Sequence, residues 1–267
     1  MAGSGKRFVD AGYSTIKPLI KVQGKSMVEY VVNLFPGEDN FLFICSNEHL
    51  EKTNLKSVLL QKKPQGKVMG INRHNKGPVL SVLEVLEEIS DAEPVIFSYC
   101  DYNLAWDYQN FKNFAQASNA DGIVVSYTGF HPHLLGPNFY AGVKTNGQGQ
   151  ILEIKEKYSY HPDKLKGWHS CGMYYFKSGG LAKKYFAQHA AGRPHENGEY
   201  YISTVYNDMI KAGLMCLNYP VNYFCQWGTP EDLKEYETWM QRLANGYKPS
   251  NADEEQSYKY WSEFLNL

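Results

Sequence analysis

The chain has 267 residues, 43% of them hydrophobic and 21% charged, a globular composition that excludes a disordered chain and suffices for a sizeable core. Its 27 Lys and Arg against 28 Asp and Glu leave a net charge of −1, without the basic surplus that grips a phosphate backbone, so nucleic acid is not an expected partner. No apolar run reaches the roughly 18 residues of a membrane span. The first residues lack the apolar core of a signal peptide, and the five cysteines stand singly without CxxC spacing, so reduced thiols and a cytoplasmic location are expected.

Short apolar runs alternate with helical periodicity through the first half. Residues 41–45 and 67–71 read as strands, and 79–89 carries Val79, Val82, Leu83, Leu86 and Ile89 on one helical face. Strands at 94–99 and 122–127 bracket a second amphipathic helix at 108–117. Such alternation implies βαβ units and an α/β protein with a mainly parallel sheet flanked by helices. From about residue 140 short strands at 140–144, 149–153 and 173–176 surround the turn Asn146-Gly147, which marks a small antiparallel insertion. Helices follow at 178–190 and 200–212, then a strand at 215–219. A helix at 230–243 has Thr229 as N-cap, Pro230 at N1, and Glu231 and Asp232 in its first turn. Residues 251–256 read as a polar connection to a last short helix. No repeat or linker divides the chain, so residues 1–267 are expected to form a single domain.

Chemistry-bearing residues concentrate near the start. In Ala2-Gly3-Ser4-Gly5-Lys6-Arg7-Phe8 two glycines let backbone N–H groups wrap an anion, and Arg7 can grip phosphate oxygens in bidentate fashion. No GK[ST] follows, which excludes a Walker loop. Lys17, stiffened by Pro18, suits a second phosphate contact. Asp101 ends the strand at 94–99, and open α/β sheets bind ligands at the carboxyl ends of their strands. Lys155 and Lys157 share one face of a strand by spacing, which leaves the choice between them open. His131 and His133 flank Pro132 in an HxH spacing seen at metal sites; zinc, substrate contact and a plain loop all remain open. Trp227 and Tyr174 read as core or pocket wall.

The combination of the glycine loop at 3–8, Lys-Pro-Leu-Ile at 17–20 and Gly-Lys-Ser-Met-Val-Glu at 24–29 resembles the nucleotidyltransferase family that makes nucleotide-activated sugars and alcohols. Gly77-Pro78 resembles its segment beside the nucleobase, and Tyr99-Cys100-Asp101 its metal-binding aspartate position. Residues 151–157 resemble its EK motif, 171–176 its sugar-side strand, 198–202 its GE-x-x-I segment and 228–233 its GTPEDL. The resemblance implies a Rossmann-like fold whose first strand falls upstream of residue 1. It implies an enzyme in which an acceptor phosphate attacks the α-phosphorus of a nucleoside triphosphate and expels pyrophosphate. In that reading Arg7 and Lys17 are catalytic, while Ala2, Gly3, Ser4, Gly5, Lys6, Gly77, Pro78 and Asp101 bind the nucleotide. Glu156, Lys157, Gly172 and Glu199 bind the phosphorylated acceptor. Asp101 and Gln226 hold Mg²⁺, with Gln226 standing where many members carry aspartate.

The run 226–233 and Phe-His-Pro-His at 130–133 resemble a subset from capsule and surface-polysaccharide pathways that is similar to cytidylyltransferases. That gives CTP a slight preference and leaves the acceptor open between a sugar phosphate and another small phosphorylated compound; homo-oligomerisation is also open. Two alternatives stand beside this reading. A nucleotide-sugar-dependent glycosyltransferase would want a DxD pattern, and Asp101-Tyr102-Asn103 offers Asn instead. The other is a catalytically weak nucleotide-binding module.

Overall fold

Alternating apolar residues build a sheet whose two faces are covered by different helices. A computed structural model describes residues 1–137, 140–194 and 198–265, with Asp253 described by its backbone alone. The chain opens with α1 (Lys6–Asp10) and a small hairpin, β1 (Lys21–Val22) and β2 (Lys25–Ser26). Helix α2 (Met27–Asn33) follows, its start fixed by a Ser26–Glu29 capping box. Then come β3 (Leu42–Ser46), α3 (Asn47–Lys52), α4 (Leu55–Lys62) and β4 (Lys67–Ile71), with β3 and β4 parallel. Helix α5 (Pro78–Leu83), β5 (Val95–Ser98), β6 (Tyr102–Ala105), α6 (Tyr108–Ser118) and β7 (Gly122–Tyr127) complete the first half. The second half holds β8 (Gly142–Thr145), β9 (Ile151–Lys155), β10 (Trp168–Phe176), α7 (Gly179–Ala191) and α8 (Ile202–Lys211). It ends with β11 (Cys216–Val221), β12 (Tyr223–Gln226), α9 (Pro230–Ala244) and α10 (Ala252–Leu265).

The main sheet runs β11-β7-β10-β8-β9, with β5 also paired to β10. The α/β class and the flanking helices are as expected, but the sheet is mixed rather than mainly parallel. Strand β7 is parallel to β11, whereas β10 is antiparallel to β5, β7 and β8. The reason is the length of β10: its nine residues carry the antiparallel insertion straight into the centre of the sheet. Period-two alternation then sorts the core. Ile123, Val125, Met173 and Tyr175 face Phe35, just past the end of α2, and Phe111 of α6. Val124, Tyr174 and Phe176 face Phe186 of α7 and Tyr206 of α8. Tyr206 closes this layer by donating its hydroxyl to the carbonyls of Ile123 (3.0 Å) and Tyr175 (2.6 Å) on adjacent strands.

Among the described residues, β3 pairs with β4 and β5 with β10. Leu42, Phe43 and Ile44 of β3 and residues 95–98 of β5 line the same cavity, and the Met1 nitrogen donates to the Ile44 carbonyl at 2.7 Å.

Two local expectations change. The helix expected at 79–89 ends at Leu83, and a tighter turn at Leu86–Glu88 follows Val85, whose extended φ of −127° breaks the helix as its side chain packs with Ala2 and Ile71. The connection expected at 251–256 is instead the start of α10, which buries Tyr260, Trp261 and Phe264 against Phe8, Trp227 and Tyr236. No described helix is long and apolar enough to cross a membrane.

His131 and His133 surround Tyr127 together with His169, and neither lines the cavity. His133 Nε2 lies 2.8 Å from the Tyr127 hydroxyl, and His131 Nε2 is buried with no hydrogen-bond partner among the described residues. No set of three metal-ligating side chains exists among the described residues. Burial pushes the His131 imidazole down to about 4 and depresses His133 and His169 as well. A depressed base adds stability above its unfolded value of 6.5 that is lost as pH falls. Replacing His131→Phe should flatten the stability profile between pH 6.5 and 4 by about 1.4 kcal/mol per pH unit, measured by urea denaturation.

Candidate functional site

Gly5 adopts φ +59° as the residue before α1, which turns the opening loop back on itself and brings it against Lys17. Phe8, 1% exposed, anchors the loop from beneath, and the Lys17 ammonium sits 5.3 Å from its ring centroid. That ammonium is the junction of the site. It donates to Asp101 Oδ2 at 2.5 Å and to the Gly228 carbonyl at 3.0 Å, and the Trp227 N–H donates to the Asp101 carbonyl at 2.8 Å. The loop after β5 and the loop after β12 are thereby tied to one lysine. Asp101 and Lys17 keep roughly a fifth of their side-chain surface exposed, 25% and 18%, so both can still be reached from the cavity they line.

The cavity has a volume of about 1260 Å³. Its lining includes Ala2, Gly3, Ser4, Gly5, Arg7 and Lys17, with Gly77 and Pro78. Asp101, Glu156, Gly172, Glu199 and Gln226 line the same cavity. Two expected residues stand apart from the lining. Lys6 is exposed and pairs with Asp10 at 2.9 Å. Lys157 stands at the edge, 5.9 Å from the ring of Tyr201, which does line the cavity. Lys155 and Lys157 do not share a strand face: β9 ends at Lys155, and Lys157 has left-handed backbone at φ +52°. That turn sends Glu156 inward.

Gly77 and Gly172 are glycines for steric reasons. Gly77 has φ +90°, and a Cβ there would lie 2.6 Å from the backbone N and O of Tyr200. Gly172, at φ +80°, sits where the β10–β7 register shifts, and a Cβ would meet the Tyr99 ring at 2.5 Å. The bulge turns the Gly172 carbonyl to accept from the Tyr99 N–H at 3.1 Å. Sequence reasoning missed Tyr99, Tyr140 and Tyr201 as cavity wall; the excess of 21 tyrosines was the only signal. It also missed Ser203, whose hydroxyl donates to Glu156.

The sequence profile of the nucleotidyl transferase family matches residues 1–242. The chain belongs to that family. No curated protein sequence matches it. Among solved structures, a nucleoside-diphosphate-sugar pyrophosphorylase from Vibrio cholerae is similar at TM-score 0.68 and 21% identity, over 88% of this chain and 96% of the other. The inositol-1-phosphate CTP transferase from T. maritima has TM-score 0.66 and 16% identity, over 92% and 95%. CMP:2-keto-3-deoxy-manno-octonic acid synthetase has TM-score 0.61 and 15% identity, over 85% and 92%. At these identities the structures establish a shared fold, and the family match makes this chain a nucleotidyltransferase.

Within the transferase, burial raises the Glu156 carboxyl to about 7, opposed by the Ser203 bond and the Lys157 charge. A raised acid costs nothing below its unfolded value of 4.5, and its penalty is complete above its folded one. Glu156→Gln should therefore match the wild type at pH 4.5 and exceed its stability by about 3 kcal/mol at pH 8, by denaturant titration at both pH values. Gly77→Ala should destabilise by at least ~2 kcal/mol, since it forces a strained φ and opens the Tyr200 backbone contacts; thermal unfolding measures it.

Proposed function

We propose that this nucleotidyltransferase joins the nucleotidyl group of a nucleoside triphosphate, CTP by preference, to a phosphorylated sugar or small phosphorylated acceptor. The supporting observation is that one cavity is lined by the glycine loop, Arg7 and Lys17 and also by Glu156, Gly172 and Glu199. An acceptor phosphate oxygen attacks the α-phosphorus and forms the new P–O bond. The bond from the α-phosphorus to the bridging oxygen breaks, and pyrophosphate leaves with that electron pair. Both reactants are anions, so the protein's task is to hold them in line and offset their charge.

In this reading the loop N–H groups, Arg7 and Lys17 take the triphosphate. Lys17 exchanges its bond to Asp101 for one to phosphate, so the ammonium always keeps an anionic partner. Gly77 and Pro78 flank the base, and Glu156, Glu199, Gly172 and the rim lysine Lys157 receive the acceptor. No side-chain base is needed, because a phosphate monoester is already a nucleophilic dianion near neutral pH.

Mg²⁺ fits the donor set through the Asp101 carboxylate and the Gln226 amide oxygen, two protein ligands of the kind this ion uses beside substrate phosphates. When bound, it supplies charge neutralisation at those phosphates. The CTP preference and a place in capsule or surface-polysaccharide precursor synthesis follow the resemblance of residues 226–233 and 130–133. Two structural neighbours, a CTP transferase and a CMP-sugar synthetase, support it.

The test is pyrophosphate release with Mg²⁺, each of four triphosphates, and a panel of phosphorylated sugars and alcohols. CTP with one acceptor should react fastest. Lys17→Ala and Arg7→Ala should each slow turnover by about 100- to 1000-fold with the fold intact by circular dichroism. Unchanged turnover in either would sink the assignment of that residue.

A further inference from the structure

Gln226 is 6% exposed and lines the cavity, while Asp232, six residues on in the first turn of α9, does not line it. The Gln226 amide nitrogen donates to Asp232 Oδ1 at 2.7 Å. The other carboxylate oxygen, Oδ2, accepts from the Thr229 N–H at 2.9 Å and from the Thr229 hydroxyl at 2.8 Å. Three donors thus converge on one carboxylate, which can only accept from them. With its nitrogen committed, the Gln226 amide must turn its oxygen the other way. That oxygen lies beside Gly228, where an added Cβ would meet it and Asp232 Oδ2 alike at 3.6 Å, and the Gly228 carbonyl is the one Lys17 holds.

We propose that Asp232 is a positioning residue: its grip on the Gln226 amide nitrogen makes residue 226 present an oxygen, rather than an N–H, to the cation that accompanies the triphosphate. This rests on the nucleotidyl-transfer reading above. The capping carboxylate of α9 therefore has two jobs, one oxygen holding the helix start and the other setting the polarity of a side chain in the cavity. A neutral amide can face either way, and only its partner decides which.

The isosteric change Asp232→Asn separates the two jobs. Its Oδ1 can keep both Thr229 bonds, but its NH₂ would then face the Gln226 NH₂. The Gln226 amide must flip, turning its nitrogen to the cavity. The double variant Gln226→Glu with Asp232→Asn reverses the pair, the asparagine NH₂ donating to one glutamate oxygen and leaving the other in the cavity. The measurement is Mn²⁺ binding by paramagnetic resonance, in the presence of whichever α,β-methylene nucleoside triphosphate the wild type binds. Melting temperatures are recorded alongside.

Asp232→Asn should weaken Mn²⁺ binding by about tenfold while melting within about 4 °C of wild type. The double variant should bind Mn²⁺ at least as tightly as the wild type. In turnover the single variant should require more Mg²⁺ at saturating substrate, with the acceptor KM unmoved. Equal Mn²⁺ affinity in the wild type and Asp232→Asn overturns the proposal, as does a double variant that melts normally yet stays weak. If the wild type binds none of the four analogues, the nucleotidyl-transfer reading fails and this inference with it. Analogue binding without any variant effect defeats this inference alone.

Discussion

The contact on which the rest of the site depends is the Lys17 ammonium, held at once by Asp101, the Gly228 carbonyl and the face of Phe8. Its two hydrogen bonds reach residues 84 and 211 positions along the chain. Beside that junction, the loop after β5 and the loop after β12 share the short β6–β12 pairing and the backbone bond from Trp227 to Asp101. A partly buried lysine beside a carboxylate loses solvation that only a close anionic partner restores. The same need explains why an incoming phosphate can take it over: one anion replaces another, and the ammonium is never left alone in the cavity.

Around that junction the protein uses backbone geometry where side chains would obstruct. Gly5, Gly77 and Gly172 all have positive φ, and all three line the cavity. At Gly77 and Gly172 an added Cβ would strike Tyr200 or Tyr99. The wall is therefore set by close approach between segments, and the few charged groups are aimed by their neighbours. Glu156 is turned inward by the left-handed residue after it and steadied by Ser203. Gln226 is turned by Asp232, and the helix cap at Thr229 fixes Asp232 in its turn. Polar groups in a dry wall keep one orientation only when every hydrogen-bonding atom has a designated partner.

Much of this was legible in the linear sequence. The helix at 230–243 was readable because Thr229, Pro230 and Asp232 are local signals acting within one turn, and the structure has α9 at Pro230–Ala244 with that capping box. The strand at 122–127 was readable from its own apolar run. Strands β6 and β12 escaped notice because each has four residues and is defined only by a partner about 120 positions away. The centrality of β10 escaped for a related reason: a run of nine residues, eight of them buried, looks alike whether its neighbours run with it or against it.

The sequence by itself determined the alternation of strands and helices, the glycine loop, and the residue types that handle phosphate, because these depend on neighbours within a few positions. It also marked Lys17, Asp101 and Gln226 as residues of interest. Only the tertiary structure decided that Lys17 bonds Asp101 and Gly228, that Lys6 turns away to Asp10, and that His131 and His133 pack around Tyr127 away from the cavity. It alone decided that the Gln226 amide nitrogen is held by Asp232. The physical reason is common to all of these. A side chain's direction follows from the partner that satisfies its charge or hydrogen bond, and these decisive partners, Asp10 apart, come from other elements of the fold.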